Sequence, residues 1–149
     1  MGVIFQSLGR TVAAGVVLLA IILGVAMQMQ PDASLNLHVV GMRWLHAVAG
    51  VMWIGLLWYF NFVQIPSMPK IPDEQKPAIG KVIAPTALFW FRWAALATVV
   101  TGLLIAIAGG YLVSALTLQP GVATIGIGMW LALIMAFNVW FIIWPNQKK

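Results

Sequence analysis

Residues 40–64 read VGMRWLHAVAGVMWIGLLWYFNFVQ. The run is long and apolar enough to cross a bilayer as a helix, yet it carries an arginine and a histidine. Ionisable groups inside a membrane helix cost several kcal/mol unless something compensates them. At about 100° per residue, Arg43, His46, Gly50, Trp53, Leu57, Asn61 and Gln64 fall within about 60° of the His46 direction. The strongly polar residues therefore share one stripe, while Trp44, Val51, Gly55, Trp58 and Phe62 lie opposite. A polar stripe on a membrane helix faces protein, water or a cofactor, which makes His46 the first candidate for function.

The rest of the chain has the same character. It has 149 residues, 62% hydrophobic and 7% charged, with a mean hydropathy of +0.99; a soluble domain does not have this composition. Four apolar segments are expected at about 11–29, 40–64, 87–112 and 121–144, each near the ~20 residues that span a bilayer. The predicted fold is all-α: an integral membrane bundle of four transmembrane helices, with residues 1–149 forming a single membrane domain. No residues remain for a soluble catalytic domain. The run TVAAGVVLLAIILGVAM after Arg10 is longer than a signal-peptide core, and no clear small-x-small cleavage site follows it, so it reads as a retained helix.

The absence of cysteine excludes disulfides, thiolate metal sites, iron–sulfur clusters and covalently attached c-type haem. The net charge of +5 does not indicate nucleic acid, because the basic residues follow a membrane topology. Arg10, Lys70, Lys76, Lys81, Lys148 and Lys149 fall on one side of four spans, and only Arg43 on the other. By the positive-inside rule, both termini and the 65–86 loop are expected to be cytoplasmic and the 30–39 and 113–120 loops external. The expected location is the bacterial inner membrane, in contact with lipid.

The 65–86 loop contains Pro66, Pro69, Pro72, Pro77 and Pro85. Prolines at this density predict an extended, stiff connection. A short helix from Asp73 to about Ile83, N-capped by Asp73, can be accommodated if Pro77 lies in its first turn. This loop reads either as a headgroup-level connection or as a docking surface. Ala94, Thr98, Gly102, Ala106 and Gly110 form a ridge of small residues, and Thr124, Gly128, Ala132 and Ala136 form another. Such ridges let membrane helices approach closely, and these are expected to pack on neighbouring helices, most simply on each other. Trp90, Trp93, Trp140 and Trp144 are expected near the cytoplasmic surface, and Trp44 and Tyr111 near the external one. Trp53 is expected near mid-membrane.

His46 should lie about 9 Å below the external surface at about 1.5 Å of rise per residue. Spacing leaves three readings for it: a ligand to haem b, a polar contact to a neighbouring helix, or a substrate or proton site. In the haem reading Arg43 faces the propionates, Gly50 leaves room for a flat ring and Trp53 packs on the macrocycle. His38 is on the same helix and cannot supply the opposite axial ligand. The iron is then five-coordinate, or is completed by a methionine or another group on a different helix, or by His46 of a second protomer in a homo-oligomer. Arg92 is expected at the depth of Asn61 and Asn138, either in a structural polar cluster with them or as an anion site. Carboxylate pairs inside the membrane, nucleophile–base arrangements and phosphate loops are absent.

The segment RWLHAVAGVMWIGLLWYFNF (43–62) resembles the membrane domain of the bacterial membrane-bound urate hydroxylases, the urate oxidase N-terminal domain family. The likeness continues through VIAPTALFWFRWAALATVVTGLL (82–104) and GIGMWLALIMAFNVWFIIWPNQKK (126–149), and is strongest to the short stand-alone members of that group. His46, Trp53 and Tyr59 also match the H-x6-W-x5-Y pattern of the small membrane protoporphyrinogen oxidase family, which it resembles in size and helix number. These resemblances imply a haem-associated histidine at His46, with Tyr59 joining the site, and a membrane oxidoreductase or electron-transfer component. Long urate hydroxylases carry a cytochrome c domain, whereas this sequence has no CxxCH. Electrons would leave to a separate periplasmic cytochrome c or a larger membrane complex. A non-catalytic accessory subunit, and a small-molecule carrier or purine-binding protein, are the alternatives.

Overall fold

The computed structural model describes residues 2, 6–29 and 37–147. It divides into two compact units, Met1–Leu37 and His38–Lys149. Four helices are long and apolar enough to cross a membrane: α1 (Leu8–Met29), α2 (Val39–Lys70), α3 (Lys76–Ala108) and α5 (Ala123–Asn146). A short α4 (Leu112–Leu116) lies between the last two. No strand occurs among the described residues. The expected loop at 30–39 lies outside the described residues from 30 to 36, as do Lys148 and Lys149.

In the first unit, α1 has 22 residues and none of them is buried. The Thr11 hydroxyl donates to the Ser7 carbonyl at 3.1 Å, which also accepts from the Thr11 backbone N–H at 3.0 Å.

The second unit departs from the sequence expectation in its longest connection. The segment 65–86 is mostly helical. Helix α2 runs through Pro66 and Pro69 to Lys70, and α3 begins at Lys76 with Pro77 in its first turn. Only residues 71–75 separate them. The break comes at Ile71, whose backbone is extended (φ −94, ψ 131), as favoured just before Pro72. Asp73 is not the N-cap; Gln75 holds that position without a side-chain bond. Asp73 instead pairs with Lys76 at 2.5 Å on the exposed surface.

The prolines are accommodated by locally widened helix. Wide π turns occupy Tyr59–Gln64, Ile79–Ile83 and Asn138–Ile143. Each ends two residues before a proline: Pro66, Pro85 and Pro145. A proline inside a helix lacks an N–H and its ring strikes the carbonyl four residues back. Widening the preceding turn moves that carbonyl away, the usual relief for an interrupted ladder. After two of these prolines the next side chain returns a donor: Thr86 to the Val82 carbonyl at 3.1 Å and Asn146 to Ile142 at 2.9 Å.

The second unit closes around Trp53, Phe91, Ala94, Ala95 and Val139, with Leu56, Phe60, Met135, Ala136 and Trp140 packed on them. Ala95 has no exposed surface, so α2 and α5 meet α3 where its side chains are smallest. The opposite face of α2 is exposed, with Val51 at 74% and Phe62 at 73%. This is the apolar stripe read from the sequence, and it suits lipid.

At the other end of the bundle, Gly109 and Gly110 end α3. Gly110 has φ +72, and a Cβ on Gly109 would overlap the Tyr111 ring. Helix α4 then folds back onto α5. Gly126 permits this, because a Cβ there would collide with the Ala115 carbonyl. The Trp130 indole donates to the Leu116 carbonyl at 3.0 Å, fastening α4 to α5.

Candidate functional site

His46 sits on α2, one turn inside Arg43, with its ring against α3. Its Nδ1 lies 3.0 Å from the Thr98 carbonyl oxygen and 3.0 Å from the Thr101 hydroxyl. The carbonyl can only accept, so in the neutral ring the proton belongs on Nδ1. The Thr101 hydroxyl donates to the Ala97 carbonyl at 2.6 Å, leaving its oxygen free to accept from His46. One imidazole N–H is thus shared by two acceptors on α3. Nε2 then carries the lone pair, and it makes no hydrogen bond among the described residues. The close approach depends on Gly102, where a Cβ would stand 3.0 Å from the His46 Cε1 carbon.

Beside this ring is a cavity of about 420 Å³. Its walls are Arg43 and His46 from α2, Thr98, Gly102 and Ala106 from α3, and Gly128, Met129 and Ala132 from α5, with Tyr111 at the end near the 109–110 turn. Arg43, Ile125 and Gly128 are exposed, so the cavity opens to the surface on that side. Arg43 has no acidic partner among the described residues; the one ion pair there joins Lys76 and Asp73. Thr98 and Tyr111 add hydroxyl groups, and the rest of the lining is apolar. The cavity can therefore offer one basic imidazole nitrogen, one guanidinium at its mouth and a greasy enclosure. No cluster of three or more His, Cys, Asp or Glu side chains suited to a metal ion occurs among the described residues.

No family model, curated protein or solved structure matches the chain.

The structure brings Arg43 and His46 together at the cavity but places the other expected site residues elsewhere. Gly50 does not open a slot for a ring; a Cβ there would meet the Thr98 methyl at 3.8 Å, so this is a helix contact. Trp53 is 2% exposed and belongs to the packed core. Its indole nitrogen is buried without a hydrogen-bond partner. Tyr59 packs edge-on against Phe60, with centroids 5.6 Å apart, away from the cavity. The side chain of His38 lies outside the described residues.

The expected polar cluster of Asn61, Arg92 and Asn138 is not formed. The Asn61 amide donates to the Leu57 carbonyl of its own helix at 2.8 Å, and both asparagines are exposed. The Arg92 guanidinium lies over the Trp144 ring, 5.1 Å from its centroid, a cation–π contact. The cause is helical register: Asn61 is inside the π turn at Tyr59–Gln64 and Asn138 begins the one at Asn138–Ile143. Each wide turn rotates the downstream residues relative to a regular 3.6-residue repeat.

The two small-residue ridges also do more than pack. Ala132 and Ala136 touch the core around Ala94. Farther along, Thr98, Gly102 and Ala106 face Gly128 and Ala132 across the cavity, and a Cβ on Gly128 would meet nothing within 4 Å. Met129, Tyr111, Thr98 and Thr101 do not stand out as site residues in the sequence. A usable signal is nonetheless present: small residues at matching depth on two helices leave a hollow wherever larger neighbours hold the backbones apart.

Proposed function

We propose that this protein is a polytopic inner-membrane protein that holds a b-type haem at His46 and serves as a redox or electron-transfer component. The resemblance of residues 43–62 to the urate hydroxylase membrane domain motivates this reading. The observation that carries it is the state of the imidazole. Its Nδ1–H is engaged by the Thr98 carbonyl and Thr101 hydroxyl, its Nε2 has no hydrogen-bond partner among the described residues, and the ring borders a largely apolar cavity. Metal-ligating histidines are commonly held this way, with the second nitrogen donating to a carbonyl that sets the tautomer and ring orientation.

The remaining residues fit the same group. A volume of about 420 Å³ is within the usual range for cofactor pockets, roughly 300–1,000 Å³. Arg43 at the mouth offers a positive charge to carboxylate side chains. Bound there, haem would supply one-electron transfer, tuned by its axial ligands and by the burial of its pocket. Thr98 and Thr101 would hold the imidazole in place, and the apolar walls would keep water from the ring.

The distribution of charge supports an orientation with the Lys70–Lys81 end cytoplasmic and His46 in the outer half of the membrane. These 149 residues contain no cysteine, so a covalently attached c-type haem that accepts the electrons would be held outside them. The carrier reading has less support. Trp53, Phe91, Ala94, Ala95 and Val139 form a packed core, and Arg92 does not line the His46 cavity.

The test is an absorption spectrum of protein purified from haem-replete cells. We expect a Soret band that shifts on dithionite reduction, disappears in His46→Ala and persists in His38→Ala. Colourless wild-type protein would end the reading.

A further inference from the structure

We propose that Met129 is the second axial ligand of the haem site, opposite His46; this rests on the haem reading above. Two ligands to one iron approach from opposite faces of the ring, so the second must come from another helix. Few side chains at the cavity have a lone pair to offer. Arg43 is a cation and cannot ligate. The Thr98 hydroxyl donates to the Ala94 carbonyl at 2.8 Å, and a neutral alcohol oxygen is a weaker ligand for haem iron than a thioether. Tyr111 stands at the end of the cavity, packed on Gly109.

Met129 remains. It comes from α5, whereas His46 comes from α2, and both border the same hollow. Its neighbours there, Gly128 and Ala132, are too small to shield it. Thioether sulfur is a ligand of haem iron when paired with histidine, and that pairing raises the reduction potential. Filling an irregular gap is the other common use of methionine. That role requires bulk and flexibility but not sulfur, so the two uses separate cleanly by substitution.

Ligation by Met129 narrows what the site does. With both axial positions taken, no position is left for oxygen or substrate, and the site is suited to carrying electrons. Reduced wild-type protein should then fail to bind carbon monoxide. Met129→Leu conserves volume, a change that membrane and soluble cores tolerate well. It should retain the Soret band, lose the near-infrared sulfur-to-iron charge-transfer band of the oxidised form, gain a carbon monoxide difference spectrum and show a lower midpoint potential. Met129→His should restore resistance to carbon monoxide without restoring that band.

Carbon monoxide binding by the wild type, or a Met129→Leu spectrum identical to it, would overturn the assignment while leaving haem at His46 intact. So would loss of the six-coordinate spectrum in Tyr111→Phe but not in Met129→Leu. Wild-type protein without haem would overturn both proposals together.

Discussion

Gly102 sets how near the His46 imidazole can come to α3. A Cβ at that position would lie 3.0 Å from Cε1 and 3.4 Å from Nδ1, so Gly102→Ala asks the ring to shift by a few tenths of an ångström. Gly102→Leu asks for much more and should break the bond to the Thr98 carbonyl. We expect Gly102→Ala to retain any Soret band and Gly102→Leu to lose it, with a stability loss of about 1–3 kcal/mol from overpacking. Absorption and detergent-unfolding measurements on the same preparations check both. Thr101→Val is the milder probe. It removes one of two acceptors, and interhelical hydrogen bonds in membranes average about 0.6 kcal/mol, so its unfolding midpoint should move little. At this scale the sequence is informative about His46 and Arg43, because ionisable residues are rare in apolar helices. It is uninformative about Gly102, Thr101 and Met129, which are ordinary membrane-helix residues until a neighbouring helix faces them.

The prolines and glycines shape the elements. Pro66, Pro85 and Pro145 each follow a π turn, and removing a proline removes the reason for the wide turn. Pro66→Ala should let Tyr59–Gln64 tighten to regular α-helix, rotating Ser67–Lys70 by about 100°, the angle of one residue. Spin labels at positions 67–70 should change environment while labels at 44 and 51 stay as they were; unchanged spectra at 67–70 would refute the proline account. Gly126 acts differently. Its missing Cβ lets α4 lie on α5, so Gly126→Ala should displace Ala115 and weaken the Trp130 bond to Leu116. A loss of about 1–3 kcal/mol and a red-shifted Trp130 fluorescence, read against Trp130→Phe, are the expected results. These elements are readily legible as helices in the sequence, since apolar length suffices for that. Their register past residue 58 is hidden there, because an angular plot assumes 3.6 residues per turn throughout.

Within the second unit, burial is concentrated on α3 and large apolar side chains of α2 are exposed. Helix α3 has seven buried residues, Ala84, Phe91, Ala94, Ala95, Thr98, Thr101 and Ala106, most of them small. Helix α2 turns Trp44, Val51, Trp58 and Phe62 to the surface. In water this surface would be a severe liability; in lipid it costs nothing. Val51→Asp, which touches no buried group, should reduce membrane insertion by about 2.5–3.5 kcal/mol, the penalty for a charge near a helix centre. Insertion assays of the isolated α2 segment measure this penalty directly, and an unchanged inserted fraction would refute it. Helices α2 and α3 have 32 and 33 residues, or nearly 50 Å at about 1.5 Å each, well beyond the ~30 Å hydrocarbon core. At the 71–75 end, where the two helices meet, the Lys76–Asp73 pair is exposed.

The order of residues by itself determined that the chain makes four membrane-length helices, that α2 has one apolar and one polar side, and that His46 and Arg43 share the latter. These conclusions come from chain-local physics: transfer free energy summed over about twenty residues, and the angle between neighbours on a helix. Tertiary structure alone decided that the imidazole donates to Thr98 and Thr101, that Trp53 is core, that Arg92 rests on Trp144, and that the small ridges enclose a hollow beside Met129. Those depend on which side chains from distant segments come to the same depth. Depth is set by turns at 71–75 and 109–122 and by proline-widened helix, and no single segment carries that information.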